Sequence, residues 1–140
     1  MKKIGTVLSL ICCVTFTTIL ASCGSTGTPS KLQNDISNML ALLGAGEKEA
    51  FVKEYFWGYN KILKDQGPPD QDYFQHEVES IDDSLLRWLK QAQAMEPTRR
   101  EKGDIGESVT YIFSDVQGED VHLIFTLNKY NDHWLLMNPN

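Results

Sequence analysis

The spacing of apolar residues changes character near Pro97, and this change constrains the fold more than any other feature of the chain. Before Pro97, apolar residues recur three or four positions apart, as they do on the buried face of a helix. From residue 108 onward they alternate with polar residues, as in strands with one buried face. The order predicts an α+β fold, with N-terminal helices packed on a C-terminal antiparallel meander.

Two long helices are predicted first. The first ends at Gly44, and its buried stripe consists of Leu32, Ile36, Met39, Leu40 and Leu43. The second is predicted from Glu47 to Lys64, because its acidic start and basic end suit the helix dipole, and Gly67-Pro68-Pro69 ends it.

Residues 70–79 are acidic and mixed, and one or two short helical turns are predicted there. Ser80-Ile81-Asp82-Asp83 resembles a capping box and predicts a further helix that ends before Pro97. The apolar face of that helix consists of Leu85, Trp88, Leu89, Ala92 and Met95.

The sequence "TRREKGDIGE", residues 98–107, is interpreted as a polar loop. Strands are predicted at Ser108–Val116 and Asp120–Tyr130, joined by a turn at Gln117-Gly118.

A second turn is predicted at Asn131-Asp132. A two-residue turn there would place Leu127 opposite Leu136 and Lys129 opposite Trp134. The inner face of this hairpin would then carry Phe125, Leu127, Trp134 and Leu136.

The first residues have the organisation of a bacterial secretion signal. Met1-Lys2-Lys3 is positively charged, and Ile4–Leu20 is uncharged and mostly apolar. The segment that follows, Leu20-Ala21-Ser22-Cys23, resembles the lipobox of bacterial lipoproteins. The resemblance implies cleavage before Cys23, acylation of its thiol and tethering of the mature chain to a membrane.

These observations divide the chain into a signal peptide (1–22), a lipidated cysteine with a flexible tether (23–31) and one domain (32–140). The lipoprotein resemblance places the protein in the bacterial cell envelope. Cys23 is followed by Gly24 and not by an aspartate. If the host is Gram-negative, the resemblance therefore implies the outer membrane, facing the periplasm.

Cysteine and charge content exclude several classes of function. Cys12 and Cys13 lie in the predicted signal and Cys23 is the predicted acylation site, which leaves no thiol for disulfides or metal. The net charge is −6, and removal of Lys2 and Lys3 would make the mature domain more acidic still. Such a domain is a poor candidate for binding nucleic acid or for direct contact with anionic headgroups.

Three segments together resemble the nuclear transport factor 2-like, or cystatin-like, fold. They are "EAFVKEYFWGYNKIL", "DDSLLRWLKQA" and "VHLIFTLNKYNDHWLLMNP", the last with Trp134 near its end. The resemblance covers residues 45–140 and implies helices packed into the concave face of a curved sheet. The strand usually present between the early helices is not obvious, unless residues 71–79 supply it.

Enzymes of that fold place an Asp/His or Tyr/Asp set inside the cone. The resemblance therefore implies a possible pocket at Tyr111, Asp115 and His122, with His133 nearby. Strand alternation instead turns His122 away from Val121 and Leu123 and toward solvent. We therefore predict no catalytic residues and keep the pocket as an alternative.

The histidines also give no specific metal signal. His76, His122 and His133 show neither an i, i+4 helical pair nor a closely spaced H-x-H motif. No metal and no cofactor are predicted.

A protein-binding surface is the preferred interpretation. Trp57 is singled out, either as a cap on the sheet edge or as the anchor for a partner, because Tyr55, Phe56, Trp57 and Tyr59 cannot all face one core. The acidic stretch "EVESIDD" could form a docking edge for a basic partner through Glu77, Glu79, Asp82 and Asp83.

Three functions remain open: an envelope accessory or immunity-type lipoprotein that binds a protein, a cone-shaped pocket protein, and a structural envelope lipoprotein. The sequence favours the first, a non-catalytic binding protein anchored through Cys23.

Overall fold

The computed structural model describes residues 28–104, 106–128 and 132–137. Within them five helices precede one four-stranded antiparallel sheet, which confirms the α+β class. The helices are α1 (Ser30–Gly44), α2 (Lys48–Tyr55), α3 (Trp57–Gln66), α4 (Gln71–Ser80) and α5 (Asp83–Gln93). The strands are β1 (Arg99–Gly103), β2 (Gly106–Ser114), β3 (Asp120–Leu127) and β4 (Trp134–Leu136), paired in that order.

The stripe predicted for the first helix is confirmed. Leu32, Ile36 and Met39 are fully buried in α1, and Leu40 and Leu43 pack against the same core. The stripe also contains a buried polar residue, Asp35, which is only 3% exposed.

The single helix predicted for Glu47–Lys64 is wrong, because Phe56 interrupts it. Phe56 is extended, with φ −91° and ψ 120°, and forms a parallel bridge to Leu136 of β4. Its side chain is 5% exposed. The break therefore joins the helical layer to the free edge of β4.

The segment predicted to contain one or two helical turns forms the ten-residue helix α4. Its N-cap is Asp70, whose carboxylate accepts the backbone N–H of Tyr73. Asp82 caps α5 by accepting the N–H groups of Ser84 and Leu85. The helix predicted at the "SIDD" sequence is thus confirmed, but its cap is Asp82 and not Ser80, whose hydroxyl donates to the carbonyl of Glu77 within α4.

The polar loop predicted for residues 98–107 is wrong over most of its length. Residues 99–103 form β1, an exposed edge strand that pairs with β2 from Arg99 opposite Thr110 to Gly103 opposite Gly106. Every residue of β1 is exposed, so the strand lacks the apolar alternation by which strands are recognised.

The hairpin between β3 and β4 has a different register from the predicted one. Leu127 lies opposite Trp134, and Phe125 lies opposite Leu136. The register is therefore shifted by two residues, which keeps the same side chains on the inner face. Lys129, predicted to pair with Trp134, lies outside the described residues.

The core lies between the helices and one face of the sheet. It combines strand residues such as Tyr111, Leu123 and Phe125 with helical residues such as Phe51 and Leu89, all fully buried. Direct helix–sheet packing includes contacts of α1 and α2 with β4.

Candidate functional site

Helix α3 is the one described helix without a buried residue. Trp57, its first residue, is half-buried, and the Lys61 ammonium lies over the indole ring at 4.9 Å from its centroid. Tyr59 packs on Phe74 of α4, with 5.6 Å between ring centroids. Because Trp57 and Tyr59 are about 200° apart around the helix, Trp57 lies on the side of α3 away from Phe74.

The acidic residues predicted to form a docking edge lie along α4 and at the start of α5. The carboxylate of Glu77 is hydrogen-bonded to Tyr73, and that of Glu79 accepts a hydrogen bond from Gln75 at 3.0 Å. Asp82 is the N-cap of α5, as described above. Asp83 is exposed in the first turn of α5, where a negative charge favours the helix dipole.

Tyr73 connects α4 with the start of α3. Its hydroxyl lies 3.0 Å from the position that a Cβ on Gly58 would occupy, so only glycine leaves this oxygen undisturbed. Burial, first, and then the hydrogen bond with the Glu77 carboxylate and the charge of that carboxylate together raise the pKa of the Tyr73 phenol to about 12.

The raised pKa of Tyr73 predicts an alkaline loss of stability. The unfolded phenol releases its proton near pH 10, whereas the folded one holds it to about pH 12. Between these values the native state binds more protons, so the free energy of unfolding falls as the pH rises. We expect Tyr73→Phe to flatten this decline and to remove the latest step in the ultraviolet titration of tyrosine. A variant that loses an earlier step and keeps the latest one would contradict the assignment.

The residues of the predicted pocket do not come together in the structure. Tyr111 is fully buried on the inner face of β2, where its ring meets Phe125 edge-on and its hydroxyl lies 3.2 Å from that of Thr28. Burial raises the pKa of Tyr111, the hydrogen bond with Thr28 lowers it, and the charge of Glu96 raises it again. Tyr111 therefore acts as a core residue that holds the start of the described chain.

Asp115 and His122 lie elsewhere on the sheet. Asp115 follows β2, and its carboxylate accepts the N–H groups of Gln117 and Glu119 at 2.7 and 3.0 Å, which fixes the β2–β3 turn. His122 is exposed on β3, opposite Ile112, on the face of the sheet away from Tyr111.

A buried carboxylate that sequence reasoning missed joins α1 to the last hairpin. The Oδ1 atom of Asp35 lies 3.0 Å from Nδ1 of His133, and Oδ2 accepts the backbone N–H of Trp134 at 2.9 Å. The imidazole of His133 packs edge-on against Tyr55 at 5.6 Å. The signal that could have revealed this contact is the position of Asp35, three residues after Leu32 in an otherwise apolar stripe.

Tyr55 completes the surroundings of this pair from α2. It is 3% exposed, and burial raises its pKa, an effect that a hydrogen bond with Asn38 partly offsets. Beside the pair, Lys31 and Asp132 form an exposed ion pair between α1 and the same hairpin. The whole arrangement fastens α1 to the residues that precede β4.

Comparison of the chain with protein-family models, with curated proteins and with solved structures finds no match in any of the three. Among the described residues, no group of three or more His, Cys, Asp or Glu side chains is arranged to hold a metal ion. No helix in the same part of the chain is long and apolar enough to cross a membrane.

Proposed function

We propose that this protein is a bacterial envelope lipoprotein, anchored through Cys23, whose domain acts by binding and not by catalysis. The lipobox-like segment Leu20-Ala21-Ser22-Cys23 supports the anchor, and it lies outside the described residues. If the host is Gram-negative, the proposed location is the outer membrane, with the domain in the periplasm.

The observation that carries the binding function is the exposure of α3. A ten-residue helix with no buried residue gains little from packing within the domain, although it contains Trp57, Tyr59, Ile62 and Leu63. The side chain of Leu63 is 41% exposed, and Trp57 is only half-buried. Partly exposed aromatic and aliphatic side chains on one element are typical of docking surfaces.

The positions of the titratable residues favour binding over catalysis. Tyr111, Asp115 and His122 serve the core, a turn and the outer sheet face respectively, so they form no common reaction centre. Of the residues predicted to bind a partner, the proposal keeps Trp57 as the central one. The carboxylates of Glu77, Glu79 and Asp82 already engage in hydrogen bonds within the domain.

A cystatin-like cone is proposed only as an architectural plan. Its support is the packing of helices against one face of an antiparallel sheet whose last strand contains Trp134. Residues 71–79, where the family's additional strand was sought, form part of α4 instead.

The anchor is tested by substituting each cysteine separately. We expect Cys23→Ser to abolish incorporation of labelled palmitate and to leave an uncleaved precursor, because no thiol is then available for acylation. Cys12→Ser and Cys13→Ser are matched controls within the predicted signal, and both should be labelled and processed normally. Labelling and membrane attachment that survive in Cys23→Ser would refute the anchor.

A further inference from the structure

One side of α3 combines an aromatic ring with positive charge. Trp57, Lys61 and Lys64 lie four and seven residues apart, which aligns them along one side of the helix. We name these three residues the basic–aromatic face. Both lysines are exposed, and the Lys61 ammonium lies over the Trp57 ring.

The helix presents this face in a fixed position. The side-chain amide of Asn60 donates hydrogen bonds to the carbonyls of Phe56 and Lys53, at 2.9 and 3.2 Å. These bonds tie the first turn of α3 to α2, while the bridge from Phe56 to Leu136 ties it to the sheet. The opposite side of α3 contacts Phe74 through Tyr59. Trp57 is therefore held where helix and sheet edge meet.

The charge of this face is opposite to that of the chain. The protein has a net charge of −6, whereas α3 contains two lysines and a single acidic residue, Asp65. An acidic domain is repelled by an anionic surface in most orientations. Only an orientation that presents a locally basic face avoids this repulsion.

The proposed anchor restricts what this face can meet. Thr28 lies five positions after Cys23, and five residue steps span at most about 17 Å. A domain of this size has a radius of gyration of about 13 Å, so the bilayer surface stays within one domain diameter. Tethering at this distance converts weak contacts into intramolecular ones with a high effective concentration.

We propose that the basic–aromatic face of α3 docks on the anionic surface of the bilayer in which the protein is anchored. This inference rests on the proposed lipid anchor at Cys23. Indole rings favour the interfacial region of a membrane, and lysine side chains reach from apolar contacts to headgroup phosphates. Docking through this side turns α4 and its acidic residues away from the bilayer and toward the periplasm.

The test uses the lipidated protein reconstituted into vesicles that contain brominated lipids, which quench tryptophan emission on contact. Vesicles of brominated phosphatidylcholine alone are compared with vesicles that also contain phosphatidylglycerol. We expect stronger quenching with the anionic lipid. Trp57→Phe should abolish this additional quenching, and Trp88→Phe, which removes a half-buried tryptophan of α5, should preserve it.

The role of charge is tested with two pairs of substitutions that change the net charge equally. Lys61→Gln with Lys64→Gln should weaken docking, by roughly fivefold for each lysine removed from the surface. Lys90→Gln with Lys102→Gln, on α5 and β1, should leave the quenching unchanged. Equal effects of the two pairs would overturn the proposal, because they would show that only net charge matters.

Flotation of the same vesicles separates the two proposals. Protein that does not float with the vesicles refutes the anchor and this inference with it. Protein that floats, but shows no additional quenching of Trp57 with the anionic lipid, retains the anchor and overturns the docking. Emission of Trp57 that responds only to an added envelope protein would likewise overturn it and assign the face to a protein partner.

Discussion

Asp35→Ala is expected to lower the free energy of unfolding by about 3 kcal/mol, because it removes the carboxylate that accepts the buried backbone N–H of Trp134. The carboxylate is 3% exposed and accepts hydrogen bonds from Trp134 N and from the His133 ring. After the substitution the Trp134 N–H stays buried without this partner. Urea denaturation followed by circular dichroism measures the loss, as a lower midpoint at unchanged slope.

Three further variants define the origin of the effect. Asp35→Asn keeps the shape but offers one acceptor oxygen for two donors, so about half of the loss is expected. His133→Ala removes one donor and leaves the bond to Trp134, so a loss of about 1 kcal/mol is expected. Glu49→Ala, which breaks an exposed pair with Lys53, should cost at most about 0.5 kcal/mol. A loss for Asp35→Ala no larger than that for Glu49→Ala would refute the role of Asp35.

The same residue shows how far the sequence could predict the site. The stripe around Leu32 and Ile36 predicts which side of α1 is buried, because helical spacing is a local property. It does not identify the partners of Asp35, which lie 98 and 99 positions along the chain. Pairing over such a distance depends on the completed fold, and no local pattern encodes it.

The break at Phe56 has a similar explanation. Apolar spacing continues through residues 47–64, the segment has no proline, and its one glycine, Gly58, lowers helical propensity without placing a break at Phe56. The helix is nevertheless interrupted, because an extended Phe56 buries its ring and bridges to Leu136, 80 positions later. Trp57 owes its position to this break, so its surroundings could not be derived from the helix pattern either.

Strand β1 was missed for a different reason. Apolar alternation identifies strands that bury one face, and residues 99–103 bury none. Ladder pairing with β2 stabilises the strand, and charged side chains on an edge discourage pairing with other chains. The predicted β3–β4 register differs from the observed one by two residues, because the prediction uses a two-residue turn. In the structure, Asn128 and His133 bracket a longer connection.

The contacts of each singled-out residue distinguish structural residues from those available for binding. Tyr111 packs in the core, Asp115 fixes a turn, and Asp82 caps a helix. These structural contacts account for the presence of the three residues in the sequence. Trp57 and Lys61 contact each other on a helix that contributes no fully buried side chain. Exposed apolar surface that folding does not require is the stronger indication of a binding role.

Trp134→Ala is expected to be the most destabilising single change, with a loss of about 4 kcal/mol and a Tm lower by roughly 15 °C. Strand β4 has only three residues, and their exposures are 2%, 3% and 0%. A strand this short gains little from its ladder pairs and is held mainly by side-chain burial. Trp134→Phe, which retains an aromatic ring, should cost about half as much.

The partly buried Trp88 provides the matched control, and Trp88→Ala should cost roughly 1–2 kcal/mol, because the indole is only half-buried.

The Trp134 and Asp35 substitutions should also combine less than additively. Loss of the Trp134 ring loosens β4, whose backbone N–H at position 134 donates to Asp35. The Trp134 substitution therefore already weakens the hydrogen bond that the Asp35 substitution removes. Strict additivity in this double-mutant cycle would show that β4 stays docked without its tryptophan. That result would contradict the argument that side-chain burial holds the strand in place.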